Sequence, residues 1–292
     1  MKIIGEWFRE RDYGLIFGFR GLGKSWMGLG LAGAIATSGS FGPFKASVAL
    51  PVLYVDGEMV FSVIRQRIVA LFGNCPDNLH VLSHERLFQL EGQTLNLARV
   101  DDQEAILTWC LEHGLRVLIL DNLSCLMSGI KENDADSWEP MKLWFLKLRR
   151  HGIAVVLIHH AGRSGLDLRG TSRREDDAYW IMRLEQPQAE GEARGAHFVT
   201  RFTKNRNAPS ELLPLEWTIE PEIDGTVRVR TVETSIDDVI VQWVRDGIST
   251  ASDIAAEMGV SKGTVRRHAG QLIKAGRLQK KGRDYALGPV EQ

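Results

Sequence analysis

The chain of 292 residues carries 36 Lys and Arg against 37 Asp and Glu, a formal charge of −1, and 44% of it is hydrophobic. That composition supports a full α/β core with sequence left over for a second, smaller unit, and it excludes a basic character spread over the whole chain, so any nucleic-acid surface has to be a local cluster. No apolar segment reaches the roughly 18 residues of a membrane span, the start Met1-Lys-Ile-Ile-Gly-Glu-Trp is too polar for a signal peptide, and Cys75, Cys110 and Cys125 lack paired spacing; a cytoplasmic protein with no membrane partner is expected.

The first element in chain order is an apolar strand, Leu15 to Phe17, which runs into Gly18-Phe-Arg20-Gly21-Leu22-Gly23-Lys24-Ser25 and then into a helix-forming run from Trp26 to Ala36. Gly18 to Ser25 fills every fixed position of G-x-x-x-x-G-K-[ST], between the strand and the helix that this pattern requires. Glycines at 18, 21 and 23 let the backbone wrap a polyphosphate so that amide N–H groups and the positive helix end point at the anion. Lys24 is expected to neutralise β- and γ-phosphate charge and the Ser25 hydroxyl to hold Mg²⁺. Gly18, Arg20, Gly21, Leu22, Gly23, Lys24, Ser25 and Trp26 are therefore the expected contacts of a nucleoside triphosphate.

A Gly- and Pro-containing loop, Ser38 to Phe44, leads to a strand from Val52 to Asp56 that ends in Asp56-Gly-Glu58. A carboxylate just past a strand adjacent to the phosphate-loop strand is placed to activate the attacking water; Glu58 is the candidate general base and Asp56 its competitor. Ser62 to Phe72 has helical apolar spacing with Arg65 and Arg67 on its wet face, Leu79 to Leu82 is a short strand, and Asp101 to Glu112 is a helix with acids at its positive end and a stop at Gly114. The stretch up to Arg99 carries little signal.

Val117-Leu-Ile-Leu-Asp121 is apolar throughout, as a strand covered on both faces should be, and it terminates in a single aspartate placed to share the Mg²⁺ of Ser25. Asp134 to Arg150 is a helix whose stripe of Trp138, Met141, Trp144, Phe145 and Leu148 is core. The next strand, Ile153 to Ile158, ends in His159-His160, either of which can sense the γ-phosphate from the strand end. Arg163, Arg169, Arg173 and Arg174 follow in a Gly-containing loop suited to a phosphate backbone. Tyr179 to Leu184, His197 to Lys204, Leu215 to Ile219 and Thr226 to Arg230 read as strands with no helix between them, which predicts an antiparallel extension of the sheet at one edge. At one strand tip, Lys204-Asn205-Arg206-Asn207 offers two long cations that could enter a neighbour's site.

From about Ser235 the pattern changes to helices: Ile236 to Val244, a second begun by Thr250-Ala-Ser-Asp253 and ending at Gly259, a third capped by Ser261 and running to Ala275, then a hairpin around Gly282. Between Ser261 and Arg283 the chain carries Lys262, Arg266, Arg267, Lys280 and Lys281 among its cations and no acid, which points to duplex contacts, with protein docking as the alternative for such a module.

Together, Gly18-x4-Gly23-Lys24-Ser25, Asp56-Gly-Glu58, Leu120-Asp121-Asn122, His159-His160-Ala161, Arg169-Gly-Thr-Ser172 and Lys204-Asn-Arg206 resemble RecA-like ATPases of the plasmid RepA type, hexameric replicative helicases related to the DnaB-like and KaiC-like ATPases. The resemblance covers residues 1–232, and residues 235–292 resemble a winged helix-turn-helix. It implies an α/β RecA-like fold, mainly parallel with antiparallel C-terminal strands; a cofactor pair of ATP and Mg²⁺; Glu58 as catalytic glutamate; His160 or His159 as coupling residue; residues 163–174 as the pore loop; and Lys204 and Arg206 as fingers acting in trans within a homo-oligomer, expected to be a hexamer. DNA is the implied partner, with a replication initiator or primase reached through the winged helix. The alternative is a regulator in which ATP only switches assembly on DNA.

Overall fold

Continuous apolar runs such as Val117–Leu120 and Val155–Ile158 can be dry on both faces only inside a covered parallel sheet, and they form the centre of one. The computed structural model describes residues 1–128, 138–162, 173–187 (Arg173 by its backbone), 195–208, 212–233, 235–258 and 260–291. In chain order its elements are β1 (Lys2–Ile4), β2 (Phe8–Arg9), β3 (Tyr13–Gly18), α1 (Lys24–Thr37), β4 (Ser40–Phe41), β5 (Phe44–Lys45), β6 (Val52–Asp56), α2 (Phe61–Phe72), β7 (Leu79–Ser83), α3 (His84–Glu91), α4 (Val100–Glu112) and β8 (Val117–Asp121). They continue with the single turn α5 (Leu123–Leu126), α6 (Glu139–Arg150), β9 (Ala154–His160), the single turn α7 (Arg173–Asp176), β10 (Trp180–Glu185), β11 (Ala196–Asn205), β12 (Leu215–Pro221) and β13 (Val227–Glu233). Last come α8 (Ile236–Arg245), α9 (Ala251–Met258), α10 (Lys262–Lys274), β14 (Leu278–Lys281) and β15 (Asp284–Leu287).

The main sheet has nine strands in the order β13-β12-β11-β10-β3-β9-β8-β6-β7. β10, β3, β9, β8, β6 and β7 are mutually parallel, and β11, β12 and β13 run antiparallel. Two expectations need correction. The Tyr179–Leu184 stretch joins the antiparallel edge on one side only: as β10 it pairs antiparallel with β11 but parallel with β3, Trp180 opposite Gly14 and Leu184 opposite Gly18. The strand that carries Glu58 is not adjacent to the phosphate-loop strand either, since β9 and β8 lie between β3 and β6. Adjacency follows from the long crossovers of a parallel sheet, and chain order does not encode it.

Alternation along the strands divides the core in two. Ile16, Tyr54, Ile119, Ile158 and Met182 face α1 and α2, whereas Leu15, Val55, Leu120, Leu157 and Ile181 face α4 and α6. Each fully buried Leu, Ile or Phe contributes about 1.5–3 kcal/mol, so the layers are fixed by burial far more than by helix caps. The α6 stripe of Trp138, Met141, Trp144, Phe145 and Leu148 is entirely buried. α3 went unread because none of its residues is buried, so it has no apolar stripe; Ser83 caps it, its Oγ accepting from the Arg86 amide at 3.3 Å.

A third core is built from the C-terminal residues alone, with Ile240, Ile254, Val265 and Leu272 of α8, α9 and α10 closed by Leu278 and Tyr285 of the hairpin. Ser261 caps α10, accepting from the Thr264 amide at 3.0 Å. This unit touches the sheet where the buried Arg183 of β10 donates to the carbonyl of Glu257 in the last turn of α9, 3.0 Å away, a cation at a helix's negative end. Among the described residues no helix is long and apolar enough to cross a membrane.

Candidate nucleotide site

The turn from β3 into α1 is held open by its glycines. Gly21 and Gly23 have φ of 80° and 98°, and a Cβ on Gly23 would lie 2.7 Å from the Phe198 ring. The first turn of α1 has no acid and no capping side chain, which leaves its N–H groups for an anion. Lys24, only 6% exposed, lies along the loop and donates to the carbonyls of Gly18 at 3.0 Å and Phe19 at 2.7 Å. Burial lowers its pKa to about 8, against the opposing pull of the Asp121 and Glu58 carboxylates. Leu22 turns inward as core, while Arg20, Gly21 and Trp26 line the cleft above the loop.

Asp121 is 3% exposed and ends β8 beside Asp56 of β6. Burial raises its pKa; side-chain hydrogen bonds from Ser25 and from the Tyr54 hydroxyl, the latter 2.5 Å from Oδ2, oppose the rise. A hydroxyl and a carboxylate meeting next to a buried Lys are hard oxygen donors that fit Mg²⁺. Among the described residues no group of three His, Cys, Asp or Glu side chains is placed to hold a metal ion.

Glu58 is exposed and lines the cleft, with Oε2 accepting from Asn122 Nδ2. Asp56 is 1% exposed and does not line it: its Oδ1 accepts from the amides of Glu58 at 3.0 Å and Met59 at 2.6 Å, and its Oδ2 is buried without a partner. Burial, reinforced by Asp121, raises the Asp56 pKa to about 7. Asp56 thus shapes the turn that presents Glu58. The two histidines part because successive strand residues face opposite ways. His160 lines the cleft, whereas His159, 1% exposed, lies on the other face, its Nδ1 3.3 Å from Ser124 Oγ and its Nε2 2.7 Å from Arg174.

The cleft, of about 380 Å³, brings together Arg20, Lys24, Ser25, Glu58, Asp121 and His160. It continues into a groove of about 770 Å³ between α2 and the β12–β13 turn, where Arg67 stands 4.9 Å over the Trp26 ring. The sequence reading gave three residues here no role. Tyr54 sits in an apolar strand with nothing to mark it, Asn122 is quoted there only as part of the Leu120-Asp121-Asn122 motif, and Arg67 resembles any solvated helix cation.

Other site residues lie elsewhere. β11 runs antiparallel, placing Asn205 opposite Trp180 and hence level with Gly14. Lys204 and Arg206 are therefore roughly 13 Å from the Gly18 end of the sheet, four residues at about 3.3 Å each. There Lys204 Nζ donates to the carbonyls of Glu175 at 2.6 Å and Asp176 at 3.0 Å, and Arg206 donates to Asp176 at 3.0 Å. Arg174 corrects its expectation as a phosphate-backbone contact: it is 4% exposed, bound to His159 and 5.2 Å over the Trp138 ring. Arg163 and Arg169 lie outside the described residues, as does the Arg173 side chain. Lys262, Arg266, Arg267, Lys280 and Lys281 are all exposed, and a groove of about 710 Å³ between α10 and the hairpin is lined by Arg266, Lys280 and Arg283. Arg277, which also lies in the acid-free stretch, is held by Glu291 at 2.6 Å and Asp238 at 2.8 Å.

Residues 1–165 match the AAA domain family, AAA_25. Among solved structures, a KaiC-like protein of the archaeon Pyrococcus horikoshii is similar at 14% identity and a TM-score of 0.57, over 78% of this chain and 93% of that one. The flagellar accessory protein FlaH of Methanocaldococcus jannaschii is similar at 15% identity and 0.54, over 76% of this chain and 90% of that one. At these identities the likeness is one of fold, a RecA-like P-loop architecture. Among curated proteins none matches the sequence.

Proposed function

Since the chain belongs to the AAA domain family, whose match spans its phosphate loop and both candidate acids, we propose that it is an oligomeric Mg²⁺-dependent ATPase of the RepA-like type that translocates on or unwinds DNA. The observation that carries this reading is the cleft itself: phosphate loop, hydroxyl–carboxylate pair, exposed Glu58 and His160 converge at the C-terminal edge of a parallel sheet, where ligands of open α/β sheets bind.

In this reading the α1 N-terminus and Lys24 bind the β- and γ-phosphates, and Lys24 exchanges two loop carbonyls for phosphate oxygens. Ser25 and Asp121 hold Mg²⁺, which supplies neutralisation of the phosphate charge. Glu58, oriented by Asn122, takes the proton of the attacking water, and His160 registers the γ-phosphate. The groove beside Trp26 and Arg67 accommodates the base. Lys204 and Arg206, at the far end of the sheet from their own cleft, complete the site of a neighbouring copy, so the working unit is a homo-oligomer, taken to be a hexamer. We assign residues 1–232 to the ATPase domain and 235–292 to a winged helix that recruits DNA, a replication initiator or a primase.

The exposed cations around the α10 groove favour a second reading, a DNA-bound regulator that ATP merely switches. Hydrolysis assays separate the two. For a motor, single-stranded DNA accelerates phosphate release, Lys24→Ala abolishes nucleotide binding, and Glu58→Gln binds nucleotide without turnover; turnover indifferent to single strands with tight duplex binding supports the regulator.

A further inference from the structure

A run of side-chain hydrogen bonds, linked through the backbone of two short turns, leaves the cleft through the core and ends at Lys204 and Arg206. Asn122 starts it: its Nδ2 donates to Glu58 and its Oδ1 caps α5 by accepting from the Cys125 amide at 3.2 Å. One residue into that turn, Ser124 Oγ is 3.3 Å from His159 Nδ1, and His159 Nε2 is 2.7 Å from the Arg174 guanidinium. Arginine only donates, so Nε2 is the acceptor, Nδ1 carries the hydrogen and gives it to Ser124, and the imidazole is neutral. Arg174 is the second residue of α7, whose last two carbonyls, Glu175 and Asp176, accept from Lys204 and Arg206.

We propose that this run couples the state of Glu58 to the placement of Lys204 and Arg206, with Asn122, His159 and Arg174 as positioning residues. The proposal rests on the reading of Glu58 as the water-activating group and of the two cations as groups for a neighbouring copy. α5 and α7 are single turns of four residues, so only a few bonds separate the contact each makes at one end from the contact it makes at the other. When Glu58 turns to a water beside the nucleotide, Asn122 gives up a partner while still bound to the end of α5, and the turn shifts with it. His159 is 1% exposed and Arg174 4%, so water cannot replace a broken bond between them, and the pair moves together. A subunit would thus present its cations to the next site according to its own nucleotide.

The test reads Lys204 directly, by mass-spectrometric footprinting of its acetylation on the full chain, with Mg²⁺ and with or without a non-hydrolysable ATP analogue whose binding is measured separately. In wild type the analogue should change Lys204 labelling by about 2- to 30-fold, the span of coupling carried by such networks. Ser124→Ala and Arg174→Gln should bind the analogue as tightly yet lose the change, and Arg174→Lys, which keeps a donor for His159, should restore part of it. If Arg174→Gln fails to fold, Ser124→Ala, the loss of one hydroxyl, carries the test. Wild-type labelling unchanged with analogue bound, or variants that respond like wild type, overturns the coupling alone. A wild-type chain that binds no analogue overturns the nucleotide reading with it.

Discussion

Asp12 shows how burial sets the charge of a single residue and through it the pH response of the fold. It lies at the end of β3 remote from the cleft, 5% exposed, and burial raises its pKa to about 6 although the Arg9 amide at 2.7 Å and Asn207 Nδ2 at 2.6 Å both donate to its Oδ2. Because its folded value exceeds the ordinary 3.8, the folded chain binds more protons between those values, and the contribution of Asp12 to stability falls as pH rises from about 4 to about 6. Denaturant titrations should show that Asp12→Asn removes roughly 3 kcal/mol of this decline at most. An equal slope in wild type and variant would mean that the carboxylate is ionised throughout. At this scale the sequence puts Glu58 forward with Asp56 as its competitor, without the geometry that separates them. Asp56 and Glu58 are two residues apart and chemically alike; which of them reaches the cleft depends on a turn closed by Asp56 itself. Arg174 looked like its neighbouring cations until the fold buried it.

For whole elements, legibility followed the strength of the apolar pattern. β3, β8 and β9 were readable because burial on both faces demands uninterrupted apolar runs, and α6 because its stripe has helical period. The two-residue strands β1, β2, β4 and β5 are too short to carry a period, and the parallel pairing of β10 depends on a crossover whose direction no local pattern records. α10 and the β14–β15 hairpin were legible as a basic unit, and their cations are exposed. If Arg266 and Lys280, both lining the groove there, each neutralise one duplex phosphate, the Arg266→Ala, Lys280→Ala pair should reduce the slope of log affinity against log salt by about 1.8. An unchanged slope in a titration from low to moderate salt would assign this surface to a protein partner.

For the molecule as a whole, the antiparallel return of β11 matters most, because it carries Lys204 and Arg206 away from the edge of the sheet that holds Lys24, Asp121 and Glu58. The C-terminal unit is tied to the same sheet through Arg183 and Glu257, so its placement and that of the strands are not independent. Motif spacing indicated the parts of the site but not their separation, since distance along a sheet depends on strand direction. That separation has a consequence for reaction order. If each working centre takes its acid from one chain and its cations from another, hydrolysis per chain is not a constant of the protein but rises with concentration until assembly saturates, while nucleotide capture per chain stays level. A dilution series should show the rate falling faster than the first power of concentration below the assembly midpoint. Strict proportionality down to the most dilute sample would make the isolated chain a complete catalyst.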